Sequence, residues 1–170
     1  MQEREIDYKL KIVDKYGLTI EFNRAEPEKC IQDRSLFGLT DSQLIEDIKA
    51  KPFIVVRDLY VRVTYKDEVY TFVIPKGFTY DGATVPAIAW LIIGHKTEPR
   101  FKIASCVHDW LCEHHADIDT QRKLSTHIFI TLCDKFGKFN KVKRILMGFF
   151  IDLFQMLFCG WKKYKLFLIF

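Results

Sequence analysis

Residues Cys106-Val-His108-Asp109-Trp-Leu-Cys112-Glu-His114-His115 bring three imidazoles, two carboxylates and two thiols within ten positions. On a helix, His108, Cys112 and His115 fall at i, i+4 and i+7, one stripe, with Asp109 one step round and Glu113 four residues beyond it. An imidazole beside carboxylates on a rigid helix has the make-up of a general base. The His/Cys stripe also has the make-up of a metal site, with a divalent ion as cofactor. A zinc centre needs a fourth ligand and a supporting shell, which the sequence does not plainly supply. The same residues read equally as hydrogen-bonded structural groups, with His114 and His115 at a solvated helix end near the C-terminal dipole.

A second stretch, Ile74-Pro-Lys-Gly-Phe-Thr-Tyr-Asp-Gly-Ala-Thr-Val-Pro86, leaves a strand, turns at Gly77 and Gly82 and starts a helix at Pro86. Asp81 and Thr84 stand just before that helix. There a carboxylate or hydroxyl caps free N–H groups, or is held over a pocket at the end of a strand. If the turn at Asp81 folds back on the helix of His108, the two stretches share one polar spot. Gly148, Asp152, Gln155 and Cys159 form a polar seam on a later, otherwise apolar helix, and Asp152 and Gln155 are candidates to line the same pocket.

The elements that must position these residues divide by half. Tyr8, Leu10 and Ile12, then Leu18, Ile20 and Phe22, alternate around a turn at Gly17, as in a β-hairpin. Residues 24–39 are polar and irregular and read as a loop or excursion. Residues 41–48 read as a short helix capped by Thr40 or Asp41. Phe53 to Tyr65 and Val69 to Ile74 are β-branched and aromatic and read as a second hairpin around Lys66-Asp67-Glu68. The second half reads as helices: one after Pro86, one from Pro99 to about His114, one capped by Asp117 or Asp119 and ending at Gly137 as its C′ residue, and one from an Asn140 cap to near Gly160. The expected fold is α+β: antiparallel hairpins packed against a C-terminal bundle of three to four helices in one domain, residues 1–170.

Composition agrees with a folded domain. Of 170 residues, 49% are apolar, 28% charged and 15% aromatic, which excludes long disorder and supplies a core without staples. Net charge is +4, but residues 101–170 hold 11 basic and 6 acidic side chains, whereas residues 1–50 are net acidic. The basic excess centres on Lys135, Lys138, Lys141, Lys143, Arg144, Lys162, Lys163 and Lys165. Without a recognised nucleic-acid motif beside it, it reads as a solvated corner, so nucleic acid is not the expected partner. Five cysteines, an odd number with no CxxC, read as reduced thiols. The charged start Met1-Gln-Glu-Arg-Glu-Ile-Asp has no apolar signal region. Residues 145–159 are too short, and carry Asp152 and Gln155, to read as a membrane span. Residues 145–170, ending in a basic then apolar tail at 161–170, do fit weak attachment to a membrane surface.

The two polar stretches, in this order and spacing, resemble the domain of unknown function 1353 family, found mostly in tailed phages, prophages and bacteria that carry them. Its pattern runs from Pro-x-Gly-Phe-x-x-Asp-x-Ala-Ser-x-Pro to a His-Asp-x-Leu-Tyr helix, with an Asp on a further helix. Here Pro75, Gly77, Phe78, Asp81, Ala83, Thr84 and Pro86 match, then His108, Asp109 and Leu111, over about residues 53–160. Thr84 keeps the hydroxyl of the family's Ser, Cys112 replaces its Tyr, and Thr126, ahead of Phe129 and beside His127, aligns with its later Asp. The His-Asp helix is also similar to that of secreted phospholipases A2. Here, however, the next Cys lies four residues after His108 and the cysteines are too few for that scaffold.

The family resemblance implies a phage- or prophage-type protein, in the host cytoplasm or the virion, with a phage or host protein as partner. It brings no reaction. Two functions are therefore expected side by side. One is a small hydrolase with His108 as general base and Asp109, Asp81 and Thr84 around it. The other is a non-catalytic accessory or virion component in which the same residues form a buried network.

Overall fold

The structure is a computed structural model, which describes residues 6–37, 42–82, 99–114 and 122–158. The fold is α+β. Strands β1 (Leu10–Val13), β2 (Thr19–Phe22), β3 (Ile31–Asp33), β4 (Phe53–Val55), β5 (Leu59–Tyr65), β6 (Glu68–Ile74) and β7 (Thr79–Tyr80) occupy the first half, with helix α1 (Ser42–Ala50) among them. Helices α2 (Lys102–His114), α3 (Arg122–Gly137) and α4 (Lys141–Phe158) are the α-helices among the described residues of the second half. The expected helix after Pro86, the caps at Thr40, Asp41, Asp117 and Asp119, the side chain of Gln155, and Thr84, His115 and the tail 161–170 lie outside the described residues.

The strands form two antiparallel sheets, ordered β1-β2-β5-β6 and β3-β4-β7. The period-2 pattern explains the first. Ile20 stands opposite Val63, and Phe22 opposite Val61, which in turn faces Phe72 across the next ladder. All five are buried, each worth about 1.5–3 kcal/mol. On the other face Glu21 pairs with Arg62 at 3.7 Å.

Three expectations are corrected in the first half. Residues 53–65 are not one strand. The chain leaves β4 after Val55 and enters β5 in the other sheet at Leu59. The switch is fastened by Val56 N donating to Cys30 O (2.8 Å) and Lys76 N donating to Asp58 Oδ1 (2.7 Å). Residues 24–39 are not simply a loop, for they contain a 3-10 turn at Pro27–Cys30, strand β3, and a second 3-10 turn at Arg34–Phe37. The β5–β6 connection is two residues rather than three. Lys66 (φ 50°) and Asp67 (φ 67°) both take left-handed backbone, the type I′ geometry whose twist suits a hairpin.

The helices follow the sequence more closely. Asn140 caps α4 as expected, its Oδ1 accepting from Lys143 N at 2.9 Å. At the end of α3, Gly137 is not the C′ residue. It is the last helical residue, and Lys138 takes the left-handed position (φ 51°). The glycine serves a close approach instead: a Cβ there would stand 3.1 Å from the Phe139 ring, which folds back and packs edge-to-face on buried Phe101. Helix α2 is covered on several sides, with Ile103 to His108 and Leu111 all buried. Among the described residues, no helix is long and apolar enough to cross a membrane.

Candidate functional site

Strand β7 delivers the Asp81 turn to α2. Tyr80 is buried, stacks on Phe53 (5.3 Å between ring centroids) and donates its hydroxyl to the Lys102 carbonyl at 2.8 Å. Phe78 meets Trp110 edge-to-face at 5.1 Å. Burial, with Cys106 and Asp109 nearby, pushes the Tyr80 phenol well above its ordinary pKa. The end of β7 therefore shares the face of α2 that bears Asp109. Asp81 itself is half-buried, ahead of Gly82 in left-handed backbone (φ 95°). Its carboxylate makes no hydrogen bond or ion pair among the described residues, with His108 or otherwise.

His108 is only 3% exposed. Its Nδ1 lies 3.2 Å from Asp109 Oδ1, and Cys112 Sγ lies 3.7 Å from Nε2. Phe129 of α3 meets the ring edge-to-face at 5.4 Å. Burial pushes the imidazole pKa down to about 4, because a charged ring would be stripped of water there. His108 is thus a neutral side chain near pH 7. His108 and Cys112 do stand side by side, as the helical spacing implies. Among the described residues, no group of three or more His, Cys, Asp or Glu could hold a metal ion. His114 lies apart from this cluster, stacked on Trp110 at 3.7 Å with its Nδ1 3.0 Å from the Trp110 carbonyl.

Asp152 of the polar seam is engaged elsewhere. Its carboxylate pairs with Arg122 at the start of α3, and its carbonyl accepts from the same guanidinium at 2.9 Å. Thr126, at the position of the resemblance's later Asp, turns its hydroxyl to the Arg122 carbonyl at 3.4 Å.

A second imidazole–carboxylate pair joins residues that no sequence spacing connects. His127 Nε2 lies 2.5 Å from Asp14 Oδ2, and Thr131 Oγ1 donates to the same oxygen at 3.4 Å. The other oxygen, Asp14 Oδ1, accepts from Tyr16 N (2.8 Å) and Leu18 N (2.9 Å), closing the β1–β2 turn. Burial works to raise the Asp14 pKa, but those two N–H groups and the imidazole outweigh it and hold the carboxyl below its ordinary value. Tyr16 and Tyr65 flank the His127 ring edge-on.

The pair borders a cleft of about 320 Å³ between the hairpin and α3, also lined by Lys15, Asp134, Lys135 and Arg144. Asp134 and Arg144 pair at 3.2 Å, and burial raises the Asp134 pKa against the pull of Arg144 and Lys15. Asp14 was legible as a turn former from Asp-Lys-Tyr-Gly. No local signal ties it to a histidine 113 residues away.

A family model described as a protein of unknown function, DUF1353, matches residues 57–150, just over half of the chain. That stretch holds Asp81, His108, Asp109 and His127, but not Asp14. No curated protein and no solved structure matches.

Proposed function

The chain belongs to the DUF1353 family, and from that premise we propose that it is a non-catalytic accessory or virion component of phage or prophage type. In this reading buried His108 joins α2 to α3 by packing on Phe129, while Tyr80 and Phe78 fasten the β7 turn to α2. The observation that carries it is the burial of His108, closed from solvent against Asp109, Cys112 and Phe129. A general base works best with a pKa near the working pH and with reach to a substrate proton. An enclosed imidazole with a pKa of about 4 has neither. It suits a structural role, since a neutral ring enclosed against Phe129 of the neighbouring helix fixes how α2 and α3 pack.

The alternative, a small hydrolase with His108 as general base and Asp109, Asp81 and Thr84 beside it, draws on the 3.2 Å contact of His108 with Asp109. One experiment separates the two. Wild type, His108→Gln and His127→Gln are screened against ester, phosphodiester and peptide substrates, and their thermal unfolding is recorded. The structural reading expects no turnover in any of the three and a clear loss of stability in His108→Gln, about 1–3 kcal/mol for a broken buried hydrogen bond. Turnover abolished by His108→Gln at unchanged melting temperature would establish the hydrolase. Turnover abolished only by His127→Gln would move the chemistry to the hairpin cleft and overturn both assignments to His108.

A further inference from the structure

We propose that the outer face of α4 rests on an anionic lipid surface, with the helix lying along the surface rather than crossing it. Val142, Ile145, Phe149 and Leu153 stand at i, i+3, i+7 and i+11, one stripe of the helix. All four are exposed, by 36 to 61%. The stripe runs about 17 Å along the axis at 1.5 Å per residue. It lies away from the core, because α4 packs on α3 and its buried residues, Met147 and Ile151, stand on the other side of the helix. A continuous apolar stripe of this kind on a folded domain marks a contact surface rather than chance exposure.

Charge identifies the occupant. Apart from Arg144, which pairs with Asp134, residues 141–170 carry five basic side chains (Lys141, Lys143, Lys162, Lys163 and Lys165) against one acid, Asp152. That acid is neutralised by Arg122. Lys138 and Lys141 are exposed at the start of the helix, and the lysines at 162–165 follow its end in the chain. An apolar stripe with basic residues before and after it in sequence fits acyl chains below and anionic headgroups around. A second copy of the chain would instead set like charge against like. Crossing the bilayer is disfavoured, because α4 begins Lys-Val-Lys-Arg and carries Asp152 within it. Contact along α4 is compatible with either fate of the His108 cluster.

The test is co-sedimentation of the full chain with phosphatidylglycerol/phosphatidylcholine vesicles and with pure phosphatidylcholine vesicles. The expected result is binding at least about tenfold tighter to the anionic vesicles, weakening as salt is raised. It should be lost in Ile145→Asp/Phe149→Asp and reduced in Lys141→Glu/Lys143→Glu. Both variants alter surface side chains, so circular dichroism and melting temperature should match wild type. If the aspartates disturb folding, Ile145→Ser/Phe149→Ser replaces them. Equal binding to both vesicle types, no binding, or binding unaffected by the Ile145 and Phe149 changes would overturn the proposal. A dimer in sedimentation equilibrium that Ile145→Asp/Phe149→Asp dissolves, without lipid binding, would also overturn it and assign the stripe to a second copy.

Discussion

His108 couples the fold to acidity. Its folded pKa of about 4 lies below the value of about 6.5 for an unfolded chain. Between those values the unfolded state binds the extra proton, so stability falls as pH drops from about 6.5 towards 4. The full effect is on the order of 3 kcal/mol, with about 2 kcal/mol of it lost between pH 7 and 5. Urea denaturation at those two pH values should show this loss in wild type. His108→Gln should start from lower stability and lose much less. Asp14 acts in a lower window. Its folded pKa is depressed, so its contribution is present above about 3.8 and disappears as pH falls through the folded value. The two groups can therefore be told apart by where stability is lost. The spacing of His108, Asp109 and Cys112 was legible, because helical periodicity alone sets which of them are neighbours. Their enclosure was not, because it depends on Phe129 arriving from another helix.

At the scale of elements, local chemistry was legible where short-range geometry decides and obscure where two sheets compete. The hairpin at Gly17 and the Asn140 cap follow from nearby residues. The passage of residues 53–65 through both sheets does not, since an unbroken β-branched run looks the same whether or not it changes partners. The type I′ turn offers a direct test. Lys66 and Asp67 occupy left-handed backbone that favours Asn and Gly. Lys66→Asn/Asp67→Gly should raise stability by about 0.5–1 kcal/mol, or about 1–4 °C in melting temperature for a chain of this size. Calorimetry checks it. No change would mean that the strands, not the turn, set the hairpin's geometry.

Over the whole molecule, the α+β division was legible from the switch in hydrophobic period between the halves, whereas the contacts that join the halves were not. Asp14 and His127 are such a contact, tying the first hairpin to α3. A double-mutant cycle of Asp14→Asn and His127→Gln measures it. Each single change should cost about 1–3 kcal/mol, and together they should cost less than the sum, since either alone already breaks the bond. Strict additivity would show that the 2.5 Å contact contributes nothing to joining the halves.

That tie also has a bearing on biosynthesis. The hairpin leaves the ribosome first, yet the imidazole that holds its turn is translated 113 residues later. At about 5–20 residues per second, the nascent N-terminal half waits roughly 6–23 s for its fastening. During that interval the exposed strand edges are open to wrong partners, so a chaperone should matter more to this chain while it is being made than at any time after release.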